Sequence, residues 1–334
     1  MYTIKEFCED SELLDAFKVF AKNLYANDPF WSEGVDDIPE DFEKRFFLVL
    51  DGKRVVGRAC GIINPGIKYL EARTGLVGCY ECENDTEASA CLLDAIAAYL
   101  RRHKCVFAIG PMDGTTWHKY RITVPSRVEP FFLDNYHKKW YYKHFKLFGF
   151  YVVAKYYSSK FERLDLSCDK VVNHEDYFRE LGIGIRQLNL GDYMCELKRI
   201  YSICIRSFRN NFLYTPISFE ILCKLYSNVK GFIDPQLVWI AEDSRKEPVG
   251  FSFSVRNLFA LPRKSLVVKT VAIHPDPAIK GLGTLLVEKA HEAAQQRAYD
   301  EVIHPLMHEK NISRHILSEG AKTVHTYVLF GKKL

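Results

Sequence analysis

The chain lacks the features that would take it out of the ordinary globular class. No stretch of its 334 residues approaches the apolar length a membrane span requires, and the opening MYTIKEFCEDSELLDAFK carries acids where a secretion signal needs an apolar run. No long block of one charge occurs. With 46 Lys and Arg against 42 Asp and Glu, the net charge of +4 is too small and too dispersed to imply nucleic acid. No cysteine follows Cys223, and the ten present are scattered from Cys8 onward, a poor layout for a disulfide framework. The one close pair, Cys79 and Cys82, has neither a second pair nor a histidine cluster beside it, so no metal is expected. These absences point to a soluble, cytoplasmic protein with reduced thiols, no membrane partner and no nucleic-acid partner; they leave the oligomeric state open.

What is present is a hydrophobic share of 48% and a charged share of 26%, enough for about two domains. One stretch stands out, from Ser265 to Arg297. A β-rich run over Leu266–Ile273 leads into a turn with two prolines and the glycines Gly281 and Gly283. A helical pattern follows, with Leu286, Ala290, Ala293, Ala294 and Arg297 on one face. A strand, a glycine-containing loop and a helix start suit a phosphate: the first helical amides have no internal partner, and the dipole makes that end positive. Lys280 adds a cation. A nucleotide P-loop would need Gly-Lys-Ser/Thr, which is absent, and the dinucleotide fingerprint a third glycine where Leu286 stands.

The run Ala278, Ile279, Lys280, Gly281, Leu282, Gly283 resembles motif A of the GNAT acyltransferases, with Ala278 in place of the usual Arg or Gln. Asn311 followed by a helix over 312–319 and Gly320 resembles their motif B, about two residues short and without the frequent tyrosine. The closing HTYVLFGKKL resembles their last strand. Coverage extends further. Helix 11–23, a hairpin turning at Asp51-Gly52-Lys53, strand 75–83, helix 86–103, strand 105–110, helix 140–147 and strand 150–161 make one set of elements. Strand 185–188, helices 192–208 and 218–229, a hairpin over 237–255, then strand, helix, strand, helix and strand repeat it. The chain is similar to tandem-GNAT proteins of bacterial type. The fold expected is α+β: two GNAT-like repeats, each a mostly antiparallel twisted sheet flanked by helices, over 1–164 and 183–334 with a linker at 165–182.

In the first repeat the stretch ENDTEASA, residues 83–90, stands where a phosphate loop would lie; it has acids and no glycine. The expectation is that the first repeat no longer binds a cofactor and instead shapes the acceptor pocket.

The resemblance implies acetyl-coenzyme A, or coenzyme A, as cofactor and transfer of an acyl group to a small-molecule or peptide amine. It places Val271, Ala272 and Ile273 along the pantetheine arm, and Ala278, Ile279, Lys280, Gly281, Leu282, Gly283 and Thr284 at the pyrophosphate. Asn311 is expected to orient pantetheine or acceptor. His308 is the candidate base and Tyr327 the candidate acid, with His304 and His315 as further candidates. Asn211 and Phe212, in a loop between helices, and Trp117 and Tyr120, in the aromatic and basic patch WHKYR, are candidate acceptor contacts. Two other readings stand beside this one. One is a non-catalytic coenzyme A-binding or partner-binding protein; the other is a tandem aminoacyl or long-chain acyl transferase. Phe251, Phe253 and Val255 read as a buried strand face.

Overall fold

A computed structural model describes residues 1–9, 11–31, 38, 42–162, 168–227, 229–311 and 320–334. Local sequence explains most element boundaries. At the Asp51-Gly52 turn, Gly52 adopts φ 60° and the flanking strands pair outward from Asp51 and Arg54. In the first half, β1 (Tyr2–Phe7), α1 (Leu13–Leu24), β2 (Glu43–Asp51), β3 (Arg54–Ile63) and a two-residue β4 (Lys68–Tyr69) precede β5 (Ala72–Cys82). Then come α2 (Thr86–Arg102), β6 (Phe107–Gly110), a short β7 (Ile122–Thr123), α3 (Tyr141–Leu147) and β8 (Tyr151–Phe161). The expected linker holds a helix, α4 (Cys168–Glu180). The second half has β9 (Gly184–Gln187), α5 (Tyr193–Ser207), α6 (Phe219–Tyr226), β10 (Val238–Glu242), β11 (Pro248–Arg256) and β12 (Ser265–Ile273). It ends with α7 (Leu282–Gln296), β13 (Glu301–His308) and β14 (Lys322–Lys333). The expected helix over 312–319 lies outside the described residues.

The fold is mixed α/β, and its strands form one mostly antiparallel sheet that runs through both repeats, a point the sequence left open. The order is β1-β2-β3-β5-β6-β14-β8-β13-β12-β11-β10-β9, with β4 paired to β5 and β7 to β14. This order reads as two copies of one half placed end to end in opposite directions, except that each half's closing strand lies in the other half. β14 pairs with β6 of the first half, and β8 with β13 of the second. The exchanged strands run antiparallel along each other from Lys322↔Lys160 to Gly331↔Tyr151. Their backbone groups are satisfied only if the halves stay together.

Helices cover both faces. On one face α2 and α3 bury Leu92, Ile96, Leu100 and Phe145 over the first half, while Leu282, Leu285 and Leu286 of α7 pack with Val171 and Phe178 of α4 over the second. On the other face Phe17 of α1 meets Phe46 and Ile62, and Ile203 and Cys204 of α5 meet Phe251, Phe253 and Val255. The alternating aromatics of β11 are therefore core. Loops cross between the halves as well: Phe131 is buried against the α5 face, and Phe212 packs against the cluster under α1.

Candidate functional site

Each half contains one parallel strand pair, and each pair is short. β5 meets β6 over Thr74↔Phe107 to Leu76↔Ile109, and β12 meets β13 over Ser265↔Glu301 to Val267↔Ile303. Beyond those residues the strands part, leaving one edge of β5 and one of β12 facing a wedge. Both strands also carry a bulge just past the parting point. Against β3 the register slips between Arg58 and Cys60, where Cys79 of β5 has φ 49°. Against β11 it slips between Phe253 and Ser254, making Lys269 the extra residue of β12.

In the first half the wedge edge is closed by the protein itself. Met112 N donates to Val77 O at 2.8 Å. Cys79 N donates to Asp113 Oδ1 at 2.6 Å, Cys82 N to the Tyr141 hydroxyl at 3.1 Å, and Trp140 Nε1 to Cys82 O at 2.9 Å. The helix start is closed too. Asp85 caps α2 by accepting from Glu87 N and Ala88 N, both at 2.9 Å, and the Tyr2 hydroxyl donates to the same carboxylate. That hydrogen bonding holds the Asp85 carboxyl below its usual range.

The second half leaves both places open. No side chain caps α7, whose N-cap Gly281 sits at φ 99°, a left-handed conformation that glycine adopts without strain. Among the described residues, the amides of Leu282 and Gly283 have no acceptor, and no loop amide or side chain bonds the backbone of Lys269–Ile273. A Cβ added at Gly283 would find nothing closer than Ile273 Cγ2 at 3.8 Å, so packing does not require glycine there. Lys280 is exposed beside this start, while Ile279 and Leu282 are buried anchors against α4. Three of the residues expected at the pyrophosphate have their amides engaged: Ala278 N donates to Asp276 Oδ1 and Thr284 N to Gly281 O, each at 2.9 Å, and Ile279 N donates to Asp276 O at 3.3 Å. The open amides therefore narrow to the start of the helix. The open amides and Lys280 match a pyrophosphate in charge and in donors, and the free edge of β12 offers Val271 and Ile273 to an extended amide-bearing chain, with the Ala272 side chain buried beneath.

The candidate chemical groups divide between sites. His308, Phe212 and Tyr120 come together: the His308 ring lies 5.0 Å from that of Tyr156 and 5.9 Å from that of Phe212, and Tyr120 meets Tyr156 at 5.8 Å. Asn311 adjoins them, its amide donating to His308 O at 2.9 Å. Burial lowers the pKa of His308. Its Nδ1 accepts from Lys310 N at 3.1 Å, so the neutral ring carries its proton on Nε2. In this arrangement His308 can donate a hydrogen bond more readily than it can take a proton.

Tyr327 is fully buried and away from any mouth. Its hydroxyl donates to Asp134 Oδ1 at 2.8 Å and pairs with Ser158 Oγ at 3.0 Å, and burial raises its pKa well above the usual phenol value. A proton so held is poorly suited to a leaving thiolate. His304 faces α7 instead, locked Nε2 to Nε2 with His291 at 2.7 Å. His315 lies outside the described residues. Trp117 sits apart, donating to Thr215 O and packing on Phe208 and Tyr214, and Asn211 is exposed with its amide turned to Phe208 O.

Reading the sequence passed over Lys269 and Asp134. The Lys269 ammonium donates to Leu133 O at 2.7 Å, on a loop from the first half; burial pushes its pKa down to about 8, offset in part by Asp134. A single lysine inside the apolar strand SLVVKTVAI is the signal that could have marked it.

No protein-family model matches the chain, and no curated protein matches it in sequence. Solved structures do. A GCN5-related N-acetyltransferase from Sphaerobacter thermophilus superposes with a TM-score of 0.51 at 13% identity, over 99% of this chain and 95% of that one. A tandem GNAT protein from the clavulanic acid biosynthesis pathway superposes with a TM-score of 0.54 at 11% identity, over 100% and 98%. A GCN5-related glucosamine N-acetyltransferase region of a fungal multi-domain β-N-acetylglucosaminidase gives 0.57 at 13% identity; this chain matches over 99% of its own length and spans 38% of that protein. The chain has the fold of the tandem GNAT proteins, two GNAT-type repeats in one continuous sheet.

Proposed function

We propose that the second repeat binds an acyl-coenzyme A, acetyl-coenzyme A in the simplest case, and passes the acyl group to an amine, while the first repeat supplies the acceptor side. The observation that carries this reading is the contrast between the two wedges: the same edge and the same helix start are closed in the first repeat and open in the second. Gly281 and Gly283 let the backbone approach the pyrophosphate, Leu282 and Gly283 offer amides, Lys280 supplies charge, and β12 offers hydrogen bonds to pantetheine. When bound, acyl-coenzyme A supplies the acyl group and a thiolate leaving group. The amine nitrogen forms the new C–N bond as the C–S bond breaks, and the proton lost by the amine balances the one gained by the thiolate. Loop 131–134 of the first repeat reaches the bulge of β12 and limits water there. The division at 165–182 belongs to this reading, with α4 docked on α7.

A second reading, coenzyme A binding without transfer, draws on a specific observation: Nδ1 of His308 and the hydroxyl of Tyr327 are both already engaged. Calorimetric titration with acetyl-coenzyme A, run beside Gly281→Glu, tests both. Binding by the parent and a loss of at least about 100-fold in the variant is expected, since a carboxylate at the helix start repels the pyrophosphate. Equal binding by the two proteins would remove the second-repeat site. Binding without thiol release over a panel of amines would favour the non-catalytic reading.

A further inference from the structure

We propose that the acceptor amine also carries a carboxylate, and that Arg121 of the first repeat holds it at the second repeat's wedge. The inference rests on the reading of the second repeat as the transferase site.

Arg121 is only 8% exposed. Its guanidinium lies between two phenol rings, 3.8 Å from the centre of Tyr120 and 4.4 Å from that of Tyr156. Nε donates to Tyr120 O at 3.2 Å and Nη1 to Leu306 O at 3.4 Å. Both acceptors are neutral carbonyls. Among the described residues no carboxylate lies within ion-pair distance of Arg121 and none bonds its Nη2. Buried cations are ordinarily paired, because a desolvated charge without a counter-ion is costly. The backbone is strained as well: Arg121 has φ 74°, a conformation unfavourable for a long side chain and tolerated mainly where function retains it.

The surroundings say what would balance this charge. Lys269 lies near enough for Arg121 to act against its protonation, and Arg121 acts on His308 in the same sense. Asp134, the carboxylate closest to Lys269 in effect, is engaged with Tyr327 and with Asn135 N. Asp134 and Glu309 bring negative charge to the surroundings, acting on Lys269 and His308 in the opposite sense, but among the described residues neither pairs with Arg121, so the guanidinium itself has no direct counter-ion. It would repel a simple alkylammonium and favour an amine that brings its own anion. Two rings flanking a flat guanidinium leave a slot with one free Nη2 edge, which suits a planar carboxylate better than a tetrahedral phosphate.

Titration of the full chain with benzoate, benzamide and inorganic phosphate, followed by calorimetry and thermal melting, tests the assignment without knowing the acceptor. Benzoate is expected to bind the parent and benzamide to bind at least about tenfold more weakly, the usual margin for one charge-assisted pair. Arg121→Met should lose benzoate binding while melting at the same or a higher temperature in buffer, because it removes an unbalanced buried charge; a merely structural arginine would instead lower that temperature. Lys269→Met, on a different strand, should weaken benzoate about threefold and gives a second readout should Arg121→Met misfold. Benzamide binding as well as benzoate, phosphate binding in benzoate's place, or unchanged benzoate affinity in the variants would each overturn the proposal. Gly281→Glu should keep benzoate while losing acetyl-coenzyme A. A parent that binds the coenzyme but not benzoate defeats only the carboxylate site, and the reverse result defeats only the transferase reading.

Discussion

The two wedges of the sheet face the same physical problem and resolve it in opposite ways. Wherever two parallel strands part, backbone amides and carbonyls on the exposed edge need partners. In the first repeat Met112, Asp113, Tyr141 and Trp140 provide them from the chain itself, and Asp85 fills the helix start. In the second repeat β12 and α7 keep theirs unfilled, with glycines where side chains would otherwise stand. Closing such an edge needs no change of fold, only substitute hydrogen bonds from within the chain.

Protons should produce the largest effect on stability, and both repeats share it. His137 is held neutral by Thr123 N, which donates to its Nε2 at 2.7 Å, and burial lowers its pKa to about 4. Burial lowers His144 and His291 to about 4 as well, and holds His304 well below the usual imidazole value. An unfolded histidine takes its proton near pH 6.5, so below that pH the unfolded chain binds protons the folded chain refuses. Stability should be full above pH 6.5 and fall steadily toward pH 4, by up to about 3 kcal/mol per histidine. Urea unfolding at pH 7 and pH 5 measures the drop. His291→Leu with His304→Leu should remove the second repeat's share of it, and an undiminished drop would assign the effect elsewhere.

Unsealing the first repeat comes next. Asp113→Ala removes the carboxylate that accepts from the Cys79 amide and should cost about 1–3 kcal/mol in denaturant unfolding. Removing the cap by Asp85→Ala should cost about 1 kcal/mol. Neither change should create a coenzyme A site at α2, because the other edge groups stay bonded; a second binding event in calorimetry would break the contrast between the repeats. The smallest change in stability belongs to Gly283→Ala. It should leave folding unchanged or improved by up to about 1 kcal/mol, since alanine favours a helix, yet weaken acetyl-coenzyme A about tenfold by crowding the approach. Equal affinity would mean the ligand does not come close to Gly283.

Much of the local structure was legible beforehand. The Asp51-Gly52 turn, the Asp85 start of α2, the β11 alternation and the glycines at the start of α7 depend on neighbours a few residues away, and their signals lie in short windows. The site was legible only in part. Tyr327 looked available on a closing strand, but its fate depends on Asp134, far away in sequence, and on Ser158 of the exchanged β8. His308 titrates on paper, while the Lys310 amide occupies its Nδ1. Arg121 belonged to the patch WHKYR, yet its lack of a carboxylate partner at ion-pair distance among the described residues appears only when β13 and the first repeat meet.

By itself, then, the sequence determined the order of elements, the two-repeat plan and the place where an anion could meet a helix start. Those follow from periodicity, turn chemistry and the backbone's own polarity. Only the tertiary structure decided that the closing strands change places, that one wedge is sealed and the other open, and that residues of the first repeat line the second's wedge. The reason is that strand pairing and buried hydrogen bonds are satisfied between residues far apart in the chain, and a partner is known only once the sheet is assembled.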